Sequence, residues 1–228
     1  MGLGQSDIPD LLGCMDLQIP RLYAIVDAER IGSASPLAIC RILLDAGVRL
    51  IQYRNKRASS RDLFQACRQL QVCVREAGGI FIVNDRVDVA LAVDADGVHM
   101  GQEDLPVELA RRVLGKRILI GTSTHSLEQV HEADETSADY IAFGPIFLTQ
   151  TKERPDPVVG LAGLREARKL TRRPLVAIGG ITRESAPAVI AAGADSVAVI
   201  RDLVQAPDVA QRAREFLRVC EGQQAQSL

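Results

Sequence analysis

Long apolar runs are missing from this 228-residue sequence, which nowhere contains the roughly 18 consecutive apolar residues that a membrane-spanning helix requires. The stretch from Met1 to Pro20 carries three aspartates where a secretory signal would have a positive segment and an apolar core. The cysteines contain no C-x-x-C pair, so neither a zinc site nor a disulfide framework is indicated. We therefore expect a cytoplasmic protein with free thiols, and these belong to Cys14, Cys40, Cys67, Cys73 and Cys220.

An excess of charge of one sign is also missing. The chain has 27 basic and 29 acidic residues, a net charge of -2, and no basic arm or stripe. That balance argues against a nucleic-acid-binding protein and against attachment to an anionic membrane surface. Any bound anion must then be held by a few residues at one place, so the expected partners are small molecules. The oligomeric state stays open, and a homo-oligomer is one of the alternatives.

Short apolar segments recur along the chain and alternate with amphipathic helical patterns. Residues 22–26 are typical of a buried strand, and residues 36–46 are typical of an amphipathic helix that ends at Gly47. The pattern then repeats to give about eight strand–helix units. The further predicted strands are residues 50–53, 80–83, 97–100, 118–120, 140–143, 175–178 and 196–200.

This alternation predicts a single-domain α/β fold, a (β/α)8 TIM barrel, because apolar strands that alternate with helices form a parallel sheet covered on its outer face. The barrel is expected over residues 21–221, with a loosely ordered leader at 1–20 and a disordered tail at 222–228. A doubly wound open sheet is the alternative. It is disfavoured because no G-x-G-x-x-G motif follows the first strand, and because polar residues follow many strands.

Polar side chains follow most of the predicted strands, and in a barrel they would share one opening. Gln52, Arg54 and Lys56 are spaced by two, so they project to one side if the extended geometry persists. A solvated charge cluster is the alternative interpretation of this triplet. The polar residues after later strands are Asn84, Asp85, Gln102, Asp104, Ser123, His125, Thr149, Thr151 and Lys152.

Taken alone, each of these residues could be a helix cap or a turn. Asn84-Asp85, Asp104, and either Ser123 or His125 stand just before predicted helices, where such residues commonly cap. The recurrence of polar residues after strand after strand is harder to explain by capping. The combination therefore favours a binding site.

Asp85 and Asp104 would face the cations Arg54 and Lys56 across this opening. Magnesium in proteins binds one or two carboxylates together with phosphate oxygens, so the set matches a magnesium-bound diphosphate. Arg54 can engage a phosphate through two parallel hydrogen bonds, whereas Lys56 and Lys152 act as point charges. These residues predict a site for a departing diphosphate, with Mg2+ as the cofactor.

A second anion site is indicated by Ile178-Gly179-Gly180-Ile181, where a strand ends in two glycines before a helical run at residues 183–192. Glycines there let backbone N–H groups approach an anion, and phosphate sites of barrels commonly follow strands seven and eight. A tight turn with a close helix–strand contact is the alternative. Two anion sites in one opening predict a magnesium-dependent group transfer, in which a phosphorylated acceptor replaces a departing diphosphate.

Six blocks of sequence, in order over about residues 22–203, resemble the thiamine phosphate synthase family. Several long motifs in one order are far more specific than any single short motif. The blocks are Gln52-Tyr53-Arg54-Asn55-Lys56, Asn84-Asp85, Asp96-Gly97-Val98-His99-Met100-Gly101-Gln102-Glu103-Asp104, Gly121-Thr122-Ser123-Thr124-His125, Gly144-Pro145-Ile146-Phe147-Leu148-Thr149-Gln150-Thr151-Lys152 and Ile178-Gly179-Gly180-Ile181.

The resemblance implies a TIM barrel that uses Mg2+ to join hydroxymethylpyrimidine diphosphate to a thiazole phosphate, giving thiamine phosphate and diphosphate. It implies that Asp85 and Asp104 bind magnesium. The residues that would hold the pyrimidine diphosphate are Gln52, Arg54, Lys56, Asn84, Ser123 and Lys152. Of these, Arg54, Lys56, Ser123 and Lys152 would be catalytic. The residues that would meet the thiazole phosphate are Thr149, Thr151, the backbone of Gly180 and the loop at Ile200-Arg201.

One departure from the family pattern stands at Ile200-Arg201, where the family commonly shows Ile-Ser. The hydroxyl donor of that serine is absent here. Arg201 could reach the same phosphate with its charged fork, or could point outward to Asp202 or to solvent.

The mechanism that the resemblance implies is dissociative. The bond from the pyrimidine methylene to diphosphate breaks first, and the thiazole nitrogen captures the cation, so no protein nucleophile is needed. Two alternatives remain: a thiazole tautomerase with a histidine at the position of His125 as acid or base, and a non-catalytic barrel that senses thiamine precursors. His99 is expected to pack or hydrogen-bond beneath the opening, and His131 to lie on a helix surface.

Overall fold

The computed structural model describes residues 17–149 and 156–222, which form a closed barrel of eight parallel strands surrounded by helices. The strands are β1 (Leu22–Asp27), β2 (Leu50–Arg54), β3 (Ile80–Asn84), β4 (Gly97–Met100), β5 (Leu119–Thr124), β6 (Tyr140–Phe143), β7 (Leu175–Ile178) and β8 (Ser196–Val199). The helices are α1 (Pro36–Asp45), α2 (Ser60–Glu76), α3 (Val87–Ala92), α4 (Val107–Leu114), α5 (Leu127–Asp134), α6 (Gly160–Leu170), α7 (Ala186–Ala191), α8 (Arg201–Val204) and α9 (Val209–Glu221).

Each strand pairs in parallel with its neighbours in chain order, and β8 closes the barrel by pairing with β1. The predicted TIM barrel is therefore confirmed, and the open doubly wound sheet is wrong. Because all strands run in one direction, their carboxyl ends meet at one rim, which we call the mouth. Most of the predicted leader and tail, residues 1–16 and 223–228, lies outside the described residues.

The largest difference from the predicted strands is in β5, which was expected at residues 118–120 and extends to Thr124. Its polar end stays in the sheet because Ser123 pairs with Ala142, and Thr124 pairs with Phe143 of β6. The hydroxyl of Thr124 also donates to the carbonyl oxygen of Ala142 at 2.9 Å. Since side chains alternate along a strand, this extension directs Ser123 into the barrel and Thr124 away from it.

The core consists of two apolar layers separated by the wall of the barrel. The outer layer lies between strands and helices and includes Leu22, Ala24 and Val26 of β1. All six residues of β1 are buried, as expected for a strand covered on both faces, which explains why the strands are continuously apolar in sequence. The inner layer comprises Tyr23, Ile25, Leu50, Ile82, Tyr140, Ala142, Val176 and Ala198.

Helix α2 illustrates how the helices dock on this barrel. Ser59 begins it by accepting the backbone N–H of Asp62 at 3.1 Å, and the buried residues Leu63, Leu70 and Val74 lie on the face toward the strands. The helix has 17 residues. Neither it nor any other helix in residues 17–149 and 156–222 is long and apolar enough to cross a membrane.

The described cysteines are structural. Cys40, Cys67 and Cys220 are fully buried on helices, and burial raises the pKa of Cys67 to about 12. Cys73 is half-buried on α2, and Cys14 lies outside the described residues. A thiol that keeps its proton is a poor nucleophile, so the three buried thiols serve as small apolar groups, as predicted.

The helix after β7 is shorter than the predicted run at residues 183–192, because α7 begins only at Ala186. A turn precedes it, in which the hydroxyl of Ser185 accepts the backbone N–H of Thr182 at 2.9 Å. Serine and threonine side chains offer the backbone this alternative to helical hydrogen bonds. The pair of glycines at the end of β7 is therefore separated from the helix by a full turn of chain.

Candidate active site

The charged part of the mouth begins with an ion pair between Arg54, at the end of β2, and Asp27, at the end of β1. The two residues pair in the sheet, and Arg54 Nη1 lies 2.5 Å from Asp27 Oδ2. Asp27 is completely buried, and its Oδ1 accepts the backbone N–H of Glu29 at 2.9 Å. A buried carboxylate bonded at both oxygens is a rigid anchor, so Asp27 fixes the position of the Arg54 guanidinium at the mouth.

Lys56, Asp85 and Asp104 form the neighbouring charged group. Lys56 Nζ lies 3.2 Å from Asp85 Oδ2, and the side chain of Asp85 is within hydrogen-bonding reach of Asp104. Burial raises the pKa of Asp85, and Asp104 raises it further against the opposing effect of Lys56. The structure thus brings the predicted carboxylates together, with a predicted cation beside them.

The chain holds both carboxylates in turns at the strand ends. Asp85 has a φ of 62°, in the left-handed region that few side chains adopt, and its N–H donates to the carbonyl oxygen of His99 at 2.8 Å. Asp104 Oδ2 accepts the N–H of Gly101 at 2.6 Å and closes the turn after β4. Neither residue occupies the cap position of the next helix, so the capping interpretation is wrong for both.

The donor set at Asp85 and Asp104 fits a magnesium ion. Magnesium prefers oxygen ligands, and commonly takes one or two carboxylates with the rest supplied by water and phosphate. Within the described parts of the chain, no group of three Asp, Glu, His or Cys side chains could hold a metal. The pKa of Asp85 is raised mainly by burial and further by Asp104, and a bound cation would oppose both effects.

A continuous chain of hydrogen bonds crosses the barrel interior just below the mouth. Gln52 Nε2 lies 2.7 Å from Tyr23 Oη, which lies 2.9 Å from Tyr140 Oη. Tyr140 Oη is 3.1 Å from His99 Nδ1, and His99 Nε2 is 2.9 Å from Ser123 Oγ. The prediction that His99 hydrogen-bonds beneath the opening is confirmed. Two predicted site residues, Gln52 and Ser123, are joined through side chains that come from three other strands.

Gly121 provides the space for this hydrogen-bond chain. A Cβ atom at Gly121 would lie 1.9 Å from Cζ of Tyr140, so no larger residue fits while the ring keeps its place. The Tyr140 ring stacks on His99 with centroids 5.6 Å apart, and Tyr23 meets it edge-on at 6.1 Å. The packing of the rings therefore depends on a glycine in β5.

The side of the mouth after β6 and β7 is built from backbone. The N–H of Phe147 donates to the carbonyl oxygen of Gly179 at 3.0 Å. Gly179 and Gly180 have φ of 100° and 64°, and a Cβ at Gly180 would lie 2.5 Å from the carbonyl oxygen of Leu148. The glycines thus permit a close contact, made with the loop after β6 rather than with a helix. The role of Gly180 as a phosphate ligand stays a prediction.

The remaining predicted residues are spread around the rim. Asn84 ends β3 on the charged side and is half-buried. Ile200 follows β8 and packs, half-buried, against the inner layer of the core. Thr149 is the last described residue of the loop after β6, and Thr151 and Lys152 lie outside the described residues.

Arg201 is exposed at the start of α8, and its Nε lies 3.3 Å from Gln205 Oε1. The neighbouring Asp202 binds Arg212 and accepts the backbone N–H of Arg183. The reach of Arg201 toward a phosphate at the mouth stays a prediction.

His125 lies where β5 leads into α5, and it does not cap that helix. The side chain of Ser126 is the cap, so the capping interpretation is wrong for Ser123 and for His125. His125 Nδ1 lies 2.6 Å from the carbonyl oxygen of Gly144, and His125 Nε2 lies 3.5 Å from Asp156 Oδ2. Both ring nitrogens therefore face oxygen atoms of the protein. His131, by contrast, is exposed on the surface of α5, as predicted.

Sequence reasoning missed Asp27, Tyr23 and Tyr140. The sequence pattern predicts the two tyrosines only as buried residues of strands. A signal was nevertheless present, because Tyr23 and Asp27 are four residues apart on one strand and so share its inner face. A carboxylate at the end of an otherwise apolar strand needs a cationic partner, and the next strand ends in Arg54.

Known proteins resemble this chain over most of its length. The family model described as thiamine monophosphate synthase matches residues 22–203. Thiamine-phosphate synthase of Koribacter versatilis is 51% identical over 207 residues, covering 89% of this chain and 97% of the relative. That of Chloroflexus aurantiacus is 46% identical over 196 residues, covering 86% and 90%. The solved structure of thiamine phosphate pyrophosphorylase from Pyrococcus furiosus has a TM-score of 0.81 at 38% identity, covering 89% of this chain and 96% of that one.

The matched region contains all eight strands of the barrel. It also contains the ion pairs of the mouth and the buried hydrogen-bond chain. The expected resemblance is confirmed by a family model and by relatives that align along nearly their whole length. This chain belongs to the thiamine monophosphate synthase family.

Proposed function

We propose that this chain transfers the 4-amino-2-methylpyrimidinylmethyl group from its diphosphate to a thiazole phosphate, giving thiamine phosphate and diphosphate, with Mg2+. Family membership makes the chain a transferase of thiamine biosynthesis. The observation that carries the specific reaction is the convergence of Arg54, Lys56, Asp85 and Asp104 on one side of the mouth. Such a set of charges suits a diphosphate that leaves together with a divalent cation.

The departing diphosphate would be held mainly by cations. In the described parts of the chain, Arg54 hydrogen-bonds only to Asp27 and through one nitrogen, so its other N–H groups can meet phosphate oxygens. Lys56 is half-exposed on a flexible stem and can shift from Asp85 to a phosphate group. The other residues proposed to hold this substrate are Gln52, Asn84, Ser123 and Lys152.

Asp85 and Asp104 would hold Mg2+, which supplies positive charge that stabilises the diphosphate as it leaves. The contribution of this chain is to keep the two carboxylates adjacent, through the turn at Asp85 and the bond from Gly101 to Asp104. Arg54 then stays in one position through Asp27, so little reorganisation is needed as charge develops.

The acceptor would lie on the backbone side of the mouth. Thr149, Thr151, the backbone of Gly180 and the loop at Ile200-Arg201 are proposed to meet its phosphate. The chemistry is proposed to be dissociative, with cleavage of the carbon–oxygen bond before the thiazole nitrogen attacks. This order needs no protein nucleophile, in agreement with Cys40, Cys67 and Cys220, which are buried on helices and whose pKa values are raised by burial.

The alternatives are a thiazole tautomerase that uses His125 and a non-catalytic barrel that binds thiamine precursors. The tautomerase would have no diphosphate to expel, and the non-catalytic barrel would bind its ligands without turnover and without a response to magnesium. The contacts of His125 with Gly144 and Asp156 support a role in holding the loop after β6 rather than one in proton transfer. The tautomerase has no use for the charged group at Lys56, Asp85 and Asp104, and turnover distinguishes the proposed transferase from the non-catalytic barrel.

One assay separates these functions. The full chain is incubated with both precursors, with Mg2+ or with a chelator, and diphosphate and thiamine phosphate are measured. We expect both products in equal amounts, and only with the metal. A change in the thiazole without release of diphosphate would indicate the tautomerase. Binding without turnover would indicate the sensor.

A further inference from the structure

We propose that the buried hydrogen-bond chain has one fixed direction, which makes Ser123 a hydrogen-bond donor toward the mouth, with Tyr23 and Tyr140 as positioning residues. The identity of the anion that Ser123 meets rests on the proposed function. The direction of the hydrogen-bond chain does not rest on the proposed function, because it follows from contacts inside the barrel.

The direction is set by Gln52, the first member of the hydrogen-bond chain. An amide nitrogen only donates, so Gln52 Nε2 gives its hydrogen to Tyr23 Oη at 2.7 Å. Tyr23 therefore directs its own hydrogen to its other partner, Tyr140 Oη, at 2.9 Å. Tyr140 has then accepted one hydrogen bond, and its hydrogen points to His99 Nδ1 at 3.1 Å.

The far end of the chain follows from the chemistry of imidazole. Because His99 Nδ1 accepts, the N–H of the neutral ring is on Nε2, and it donates to Ser123 Oγ at 2.9 Å. Ser123 accepts that bond, so its own hydrogen must point elsewhere. Ser123 is half-buried near the carboxyl end of β5, the end of the strand that lies at the mouth, so we infer that its hydrogen points there.

Burial keeps the direction from reversing. Tyr23 and Tyr140 are 1% and 2% exposed, so a hydroxyl turned the wrong way would lose a hydrogen bond without gaining one from solvent. Burial also raises the pKa of Tyr23 and of Tyr140, so that both phenols keep the hydrogens that the chain requires. A donor already aimed at the mouth stabilises developing negative charge without reorganisation.

The direction can be read in the substrate-free protein by nitrogen NMR of the full chain labelled in histidine. We expect Nε2 of His99 to carry the hydrogen and Nδ1 to be unprotonated, with the signals assigned by their loss in His99→Gln. A His99 ring with its hydrogen on Nδ1 would mean that the hydrogen bonds are donated in the opposite direction, and would overturn the proposal. No substrate is used, so this outcome is independent of the proposed function.

The consequence for function is tested with Tyr23→Phe, which removes one hydroxyl from the middle of the chain. We expect kcat/KM for the pyrimidine diphosphate to fall roughly three- to tenfold, the effect of losing one aligned hydrogen bond. Tyr53→Phe is the matched control. Tyr53 packs in the outer layer, and its hydroxyl meets only Asn55, at 3.3 Å, so its loss should change kcat/KM less than about twofold.

A double-mutant cycle excludes a merely structural effect. If Tyr23 acts through Ser123, adding Tyr23→Phe to Ser123→Ala should lower kcat/KM by less than about twofold more, because coupled residues are not additive. Independent, multiplying losses would show that Tyr23 does not act through Ser123 and would overturn its positioning role. If Tyr23→Phe does not fold, the spectrum of the unmodified chain still decides the direction.

Discussion

The two sides of the barrel mouth keep their shape by different means. On the side of β1–β4, charged side chains hold one another, as Arg54 does with the buried Asp27. On the side of β6 and β7, two loops touch through backbone, and Gly180 leaves no space for a Cβ. A side-chain pair can be weakened one group at a time, whereas the backbone contact is disturbed by a single added carbon. Substitutions that remove a charge should therefore disturb the first side, and substitutions that add side-chain volume should disturb the second.

The largest effect is expected on the charged side. Arg54→Ala and Asp104→Ala should each lower turnover at least about tenfold, because each removes one preorganised contact to the departing diphosphate or its metal. The measurement is steady-state diphosphate release with Mg2+. Arg75→Ala removes an exposed charge on α2 and should leave turnover near that of the unmodified chain. Near-normal turnover in both mouth variants would contradict the assignment.

The anchor beneath Arg54 is tested by Asp27→Asn, which keeps the shape and removes the charge. We expect turnover to fall about tenfold, because the guanidinium loses the partner that fixes its position. Asp139→Asn is the matched control at the opposite end of the barrel, where Asp139 lies 2.5 Å from Arg111. Both variants should have a lower Tm, but only Asp27→Asn should lose turnover. Equal losses of turnover would show that Asp27 serves stability alone.

The backbone side is tested by Gly180→Ala. The added Cβ displaces the loop after β6, so we expect KM for the thiazole phosphate to rise several-fold, with a smaller change for the pyrimidine diphosphate. Gly78→Ala is the matched control, because Gly78 has a similar φ of 67° with no atom near its Cβ position. It should cost roughly 1 kcal/mol of stability and leave both KM values unchanged. A KM change in Gly78→Ala would mean that backbone strain, rather than contact with the loop, is the cause.

The smallest effect is expected in the stability of Asp85→Asn without divalent ions. The pKa of Asp85 is raised by folding, so the folded protein binds its proton more tightly, and ionisation of Asp85 costs stability as pH rises through that pKa. Asparagine removes this cost and tolerates the left-handed backbone. The Tm of the variant should exceed that of the unmodified chain, by a margin that grows as the pH rises from about 4 through the raised pKa of Asp85. A margin that stays constant or shrinks would contradict a raised pKa for the Asp85 carboxyl, which is partly buried beside Asp104.

The fold could be predicted because its signals are local. Apolar strands that repeat with helices between them indicate a parallel barrel, and seven of the eight strands were placed nearly correctly. The end of β5 was missed because Thr122, Ser123 and Thr124 are polar, and only pairing with β6 keeps them in the sheet. The start of α7 was missed because the turn at Thr182 and Ser185 competes with the helix.

The site could be predicted in part, because its charged residues follow strands and the barrel brings strand ends together. Asp27 left one signal, because it ends an apolar strand and the next strand ends in Arg54, but the roles of the two tyrosines depend on partners from distant segments. Gly180 shows the same limit. Its sequence predicts an anion site, which stays a prediction, and the structure adds a steric role that the positions of Phe147 and Leu148 explain.

The proposed function depends most on the binding of diphosphate, together with a divalent ion, to one side of the mouth. Calorimetric titration of inorganic diphosphate into the full chain tests this claim, first with Mg2+ and then with a chelator. We expect binding that requires Mg2+ and that weakens at least about tenfold in Arg54→Ala and in Asp104→Ala, but not in Arg75→Ala. Equal affinity with and without Mg2+, or unchanged affinity in both mouth variants, would contradict the claim.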